Sequence, residues 1–338
     1  MAVRVAINGF GRIGRCLLRA AAYDPGVDIV AINDLGDIEN LAYLLRHDSV
    51  YGAFPGQVSA MQGGLMVGAK RIEFLQEKEP ATLPWKRLAI DVVVESTGVF
   101  DSFEKASVHI AAGAKRVVIS APVKDDMLNA ATVLMGVNEE KLATCSITSN
   151  ASCTTNAASP VVAVLEEALD IEKALLDTVH ALTATQSTVD SAVRGSDKRR
   201  GRAGSHNIVP SSTGAATALT KAVQGIPFFD GMAVRVPVIA GSYVDLTFVT
   251  KRDTNVEEVN KILSDAAMTP RWQGILAVSD EPLVSSDIIG RPEGSIVDLP
   301  MTRVVGGNLV KVLAWYDNEM GYTHTLLRHV KAAGTMIK

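Results

Sequence analysis

The sequence predicts an α/β fold in two parts: a doubly wound parallel sheet, then an α+β domain on a mixed or antiparallel sheet. Three observations carry this. Near-continuous β-branched runs alternate with amphipathic ones along the first 150 residues, as they do when parallel strands lie buried between helices. A glycine-rich turn, GFGRIG (9–14), joins the first apolar run to the first helical one. Beyond Pro160 the strand runs lengthen, and a GGN turn (306–308) before the last of them reads as a hairpin.

In chain order, VRVAIN (3–8) is a buried strand, GRIGRCLLRAAAY (11–23) a helix and VDIVAIND (27–34) a second strand. IENLAYLLRH (38–47) puts Ile38, Leu41, Leu44 and Leu45 on one helical face. DVVVEST (91–97), KRVVISAP (115–122), ATVLMGVN (131–138) and CSITSN (145–150) are further strands, with a helix over FEKASVHIAAGA (103–114). VVAVLEEAL (161–169) is helical. Pro160 lies inside a helix that starts near Cys153, so a kink or a late start is expected there. MAVRVPVI (232–239), YVDLTFVTKRD (243–253) and VKVLAWYD (310–317) are the long strands of the second half. NVEEVNKILSDAAM (255–268) opens with a capping box, Asn255 with Glu258. GYTHTLLRHVKAAG (321–334) closes the chain as a helix, and 181–210 is a polar, Gly/Ser-rich loop long enough to be functional. The first domain is expected over 1–152, completed by 319–338, and the second over 153–318.

Composition narrows the function. With 338 residues, 47% hydrophobic and 21% charged, the chain can bury an ordinary core. A net charge of -4 argues against nucleic acid as the main partner, despite the short DKRRGR cluster (197–202). Three cysteines, Cys16, Cys145 and Cys153, fit neither a CxxC nor a zinc pattern, so no metal is expected and a reducing compartment is. MAVRVAINGFGRIG does not read as a signal peptide, and no apolar run approaches the roughly 18 residues that span a bilayer. A cytoplasmic protein without a membrane partner is the expectation.

GFGRIG is G-x-G-x-x-G between a strand and a helix. Gly9 permits the tight turn, Gly11 lets a pyrophosphate approach the backbone, and Gly14 lets helix and strand pack; the helix N-terminus supplies N–H groups. This is the Rossmann fingerprint. Asp34 ends the second strand, where a carboxylate accepts from a ribose diol and repels a 2′-phosphate, which favours NAD. In SNASCTTNAASP (149–160), Ser152 can cap a helix and leave Cys153 in its first turn, where a thiolate is favoured. His180 follows an apolar run and opens the polar loop, as a base aimed into a cleft would. Arg235, on the apolar strand VRVPV, needs an anion or an ion pair. PSSTGAA (210–216) offers a second small-residue turn before a helix. Two anion sites beside a thiol imply a phosphorylated substrate and inorganic phosphate.

SNASCTTN, GFGRIG, HALTATQSTVD, NIVPSSTGAA, MAVRVP and WYDNEMGY stand in the order found in phosphorylating glyceraldehyde-3-phosphate dehydrogenases, and the chain resembles that family over its whole length. The resemblance implies Cys153 as nucleophile and His180 as its base. It implies Thr183 and Arg235 for the substrate phosphate, and Ser152, Thr154, Thr213 and Gly214, with Arg199 or Arg200, for inorganic phosphate. Arg12 and Ile13 resemble main-chain donors to the pyrophosphate. Thr97 and Ser120 resemble cofactor-lining residues, Asn318 the residue that orients the carboxamide, and Tyr322 the aromatic near it. It also implies a homotetramer in which 181–210 lies against the neighbouring subunit's cofactor.

Three departures stand out. Ser191 and Ala192 replace the small or leucine residue and proline of many strictly NAD-dependent members, with a one-residue insertion before Asp197; this resembles members that also accept NADP. Lys78 stands where the family often has arginine, near the adenosine end. Ala157 replaces a frequent second cysteine, which removes one route to oxidation of Cys153. The alternatives are an erythrose-4-phosphate dehydrogenase and a non-catalytic redox-sensing relative.

Overall fold

The computed structural model describes residues 2–193 and 197–337. Two compact units emerge: Met1–Met135, Glu139–Ala151 and Thr323–Lys338 form the first, Gly136–Asn138 and Ser152–Tyr322 the second.

The first unit is a nine-stranded sheet. Its parallel part runs Ala130–Thr132, Ile147–Ser149, Arg116–Ile119, Val92–Glu95, Val3–Asn8, Val27–Asn33 and Lys70–Leu75. Val3–Asn8 lies between Val27–Asn33 and Val92–Glu95, so strand order reverses there, the place where such sheets bind ligands. Two antiparallel strands, Gly64–Val67 and Val58–Met61, extend the sheet; neither was expected from the sequence. The C-terminal helix, Met320–Thr335, is tied to this unit from Thr323 onward. His329 Nδ1 meets Asn150 Oδ1 at 3.0 Å and its Nε2 meets Thr148 Oγ1 at 2.8 Å. Lys331 pairs with Asp24.

The second unit holds an eight-stranded mixed sheet ordered Val209–Ser212, Phe228–Arg235, Ile171–His180, Ser242–Thr250, Leu309–Tyr316, Ser295–Asp298 and Leu276–Ser279, with Arg303–Val305 also on Leu309–Tyr316. The helix Cys153–Leu169 packs on one face. Both the parallel first sheet and the mixed second one agree with the predicted fold class.

Four local expectations need correction. The helix over 103–114 is two short pieces, Phe103–Ala106 and Val108–Ala111, broken at Ser107, whose hydroxyl bonds back to the Glu104 carbonyl. The strand over 131–138 shrinks to Ala130–Thr132. Pro160 does not delay its helix, which runs unbroken from Cys153; the Asn156 carbonyl, which Pro160 cannot serve, lies 3.5 Å from Ser159 Oγ. Asn255 caps Glu258 N at 2.8 Å, but the Glu258 carboxylate turns to Arg252 and Thr254, so the capping box is half made.

Candidate active site

In the first unit, a cavity of about 490 Å³ opens at the carboxyl ends of the central strands. Its lining includes Gly9, Gly11, Asp34, Lys78 and Thr97, all expected from the sequence, and Asn8, Asn33 and Glu77, which were not. Gly9 has φ +97°, and a Cβ there would lie 2.6 Å from the Ser96–Thr97 backbone; a Cβ on Gly14 would lie 2.2 Å from the Gly9 carbonyl. At Gly11 a Cβ would meet no protein atom, so the backbone faces open space. Gly11 caps the helix Arg12–Ala21 without a side-chain bond, which leaves N–H groups for an anion. These residues fit a dinucleotide pyrophosphate.

Asp34 does more than end its strand. Its Oδ2 accepts the Phe10 N–H at 2.6 Å and its Oδ1 the Gly36 N–H at 2.7 Å, so the carboxylate holds the glycine-rich turn. The Arg12 side chain pairs with the nearly buried Asp48 and stacks on Tyr51. Arg12 and Ile13 stand in the first turn of the helix, and half-buried Ser120 follows the strand Arg116–Ile119.

In the second unit, Ser152 Oγ accepts the Thr155 N–H at 3.1 Å, which caps the helix and sets Cys153 at its first position. His180 ends the strand Ile171–His180, and parallel register pairs it with Arg235. Cys153 Sγ lies 3.3 Å from His180 Nε2. His180 Nδ1 lies 2.7 Å from the Ala181 carbonyl and 2.7 Å from Arg235 Nη1. A carbonyl only accepts and a guanidinium only donates, so Nδ1 serves one of them at a time. With its proton given to Ala181, the ring turns a free Nε2 lone pair toward the sulfur.

Burial, and then the Arg235 charge, lower His180 to about 3, so its imidazole is neutral at ordinary pH. Burial pushes the Cys153 thiol up while Arg235 pulls it down. Arg235 is itself lowered by burial, and its Nε has no partner among the described residues. Tyr316, which sequence reasoning missed, bridges Thr154 Oγ1 at 2.9 Å and Thr178 Oγ1 at 2.8 Å. It thereby ties the first turn bearing Cys153 to the strand bearing His180. The alternation that buries Val310, Val312, Ala314 and Tyr316 was the available signal.

The remaining expected residues are placed as follows. Arg200 Nε donates to Ser211 Oγ at 3.0 Å and pairs with Asp197. Thr213 Oγ1 accepts from Ala215 N at 3.2 Å, with Gly214 between them capping a short helix. Thr183 Oγ1 meets Thr185. Asn318 Oδ1 accepts from Ser242 Oγ at 3.1 Å, and Tyr322 is buried. Ser191 and Ala192 are exposed, while the insertion before Asp197 lies largely outside the described residues. Among the described residues no cluster of metal-ligating side chains occurs, no disulfide joins the three cysteines, and no helix is long and apolar enough to cross a membrane.

Two family models match the chain: the NAD binding domain of glyceraldehyde 3-phosphate dehydrogenase over residues 3–103, and its C-terminal domain over 152–318. Among curated relatives, a glyceraldehyde-3-phosphate dehydrogenase of Zymomonas mobilis is 46% identical over 342 residues, covering 100% of this chain and 99% of the relative. One from Clostridium acetobutylicum is 44% identical, covering 96% of each. Glyceraldehyde-3-phosphate dehydrogenase 2 of Streptomyces arenae is 45% identical, covering 97% of each.

Proposed function

The chain belongs to the glyceraldehyde 3-phosphate dehydrogenase family, and from that premise we propose that it oxidises glyceraldehyde 3-phosphate to 1,3-bisphosphoglycerate. The observation that carries this reading is Cys153 Sγ at 3.3 Å from a neutral His180. Cys153 adds to the aldehyde carbon and gives its proton to His180. The hemithioacetal oxyanion so formed would lose a hydride and become a thioester; inorganic phosphate would then attack the acyl carbon, forming the acyl phosphate and expelling the thiolate, while His180 returns its proton to the thiolate or to solvent. NAD, when bound, supplies the hydride acceptor. Gly9, Gly11 and the helix N-terminus would hold its pyrophosphate, and Asp34 its adenine ribose.

A histidine held near 3 is a poor base, so the substrate must change it. Arg235 is the second cause of that depression, after burial. A phosphate on Arg235 offsets its charge and raises His180 as the aldehyde arrives. Thr183 stands with Arg235 in this role. Ser152, Thr154, Thr213, Gly214 and Arg200 take inorganic phosphate; Thr154 acts by its main chain, because its hydroxyl meets Tyr316. Asn318 and Tyr322 serve the nicotinamide end, and Ser120 lines the cofactor.

The face of the second sheet opposite the Cys153–Leu169 helix supports assembly as a homotetramer. Leu175, Phe228, Met232 and Leu309 are exposed there, with Val249 beside them, and such a patch marks a contact surface. Cysteines that form no disulfide among the described residues support a cytoplasmic setting. NADP as a second acceptor rests on the exposed Ser191 and Ala192.

The test is the initial rate of reduced-cofactor formation from glyceraldehyde 3-phosphate with NAD or NADP, with and without phosphate. A phosphate-dependent rate with NAD ahead is expected. Phosphate-independent turnover, faster with erythrose 4-phosphate, would replace the reading with the erythrose-phosphate enzyme. No turnover would leave the redox-sensing relative.

A further inference from the structure

Three neighbouring strands of the first sheet end on polar side chains in register: Asn8 is paired with Asn33 on one side and with Glu95 on the other. All three are buried, and so are His109 and Trp85 behind them. Buried polar atoms need partners, and here they can be traced one by one.

Trp85 Nε1 donates to His109 Nδ1 at 3.1 Å. An indole N–H only donates, so the ring proton of His109 sits on Nε2. That nitrogen faces Glu95 Oε2 at 3.1 Å, and Asn8 Nδ2 donates to the same oxygen at 2.6 Å. Glu95 Oε1 accepts both the hydroxyl and the N–H of Thr97, the latter at 2.8 Å. Asn33 Nδ2 donates to Asn8 Oδ1 at 2.8 Å and to the Glu77 carbonyl at 2.9 Å, and Asn33 Oδ1 accepts the Glu77 N–H at 2.9 Å.

Asn8, Asn33, Glu77 and Thr97 line the cavity; Trp85, His109 and Glu95 do not. Thr97 also belongs to the backbone against which Gly9 packs, and Ser96 Oγ donates to the Gly9 carbonyl at 2.8 Å. Anchoring Thr97 therefore anchors the glycine-rich turn. We propose that Trp85, His109 and Glu95 are positioning residues for the dinucleotide. Without touching it, they set the cavity floor at Asn8 and Thr97 and, through Asn33, the wall at Glu77. This rests on the reading that the cavity takes NAD.

Trp85→Phe removes one N–H and keeps a ring. Ile90→Val, in the same apolar cluster, trims a side chain that makes none of these hydrogen bonds and keeps the Ile90 N–H on the Trp85 carbonyl. NAD affinity is measured by calorimetry on the full protein, alongside kcat at saturating NAD. Trp85→Phe should raise the Kd for NAD about fivefold, the scale of a neutral hydrogen bond. Its kcat should hold within about twofold, and Ile90→Val should leave the Kd unchanged. Nitrogen-15 spectra of His109 should show the proton on Nε2 in the wild type and a mixture of tautomers in Trp85→Phe. Wild-type affinity in Trp85→Phe, an equal loss in Ile90→Val, or a proton on Nδ1 in the wild type would each overturn the proposal. Failure of the wild type to bind NAD would remove the dinucleotide reading, and the proposal with it.

Discussion

At the strand ends of the first sheet, Asn8, Asn33, Glu95 and His109 are buried together, each bonded to its neighbours. At the strand ends of the second, buried His180 stands beside half-buried Arg235, yet His180 Nδ1 is contested by a carbonyl and a guanidinium, and Arg235 Nε is unserved among the described residues. The first arrangement is finished before any ligand arrives. The second is left with unmet demand that a substrate anion can meet. A site that only holds a molecule gains from completed hydrogen bonds, whereas one that moves protons needs groups whose state can still change.

The largest break in that contrast comes at Cys153. Cys153→Ser should cut kcat on the order of a thousandfold or more, with NAD affinity intact by calorimetry, because a serine hydroxyl is a far weaker nucleophile at neutral pH. Arg235→Gln comes next. Steady-state assays should show kcat/KM down about a hundredfold as a charge-assisted contact is lost. The pH profile of Cys153 alkylation should move upward, because the Arg235 charge pulls the thiol down. Asp34→Ala sharpens the comparison on the other side. It should weaken NAD about tenfold, and NADP substantially too, because the Phe10 and Gly36 N–H groups lose their acceptor along with any ribose contact. Binding titrations with both nucleotides decide this, and an unchanged NADP affinity would assign Asp34 to the ribose alone.

The smallest effect is on stability. Burial holds His329 near 3, against 6.5 as its ordinary value. Between those values the unfolded chain binds a proton that the folded one does not, so the stabilisation is complete above about pH 6.5 and declines as pH falls toward 3. The melting temperature should drop between pH 7.5 and 5.5, by less in His329→Gln. A parallel drop in both would exclude His329 as a source.

Much of this was legible in the chain. Buried parallel strands announce themselves by unbroken apolar runs, and Cys153 and His180 by residue type, capping and position. The strands Val58–Met61 and Gly64–Val67 were missed because they are short and flanked by glycines at 63 and 68, so no period-2 run develops. Ser107 ended a helix whose apolar pattern carried through it, since a local hydroxyl bond outweighed the periodicity. Tyr316, Glu95 and His109 were invisible as functional residues for a different reason. Each acts through a partner 14 or more positions away, and only the packing of helices on sheets, with strand register, brings those partners together.

The bare face of the second sheet has one more consequence. Asp177 and Asp245 stand directly opposite there, with Lys311 serving Asp245, and burial together with Asp245 raises the Asp177 carboxyl. If copies of the chain cover that face, dilution becomes a denaturant. The lifetime of the folded enzyme is then set by how much of it a cell contains, and a modest fall in abundance costs more catalysis than the lost molecules account for.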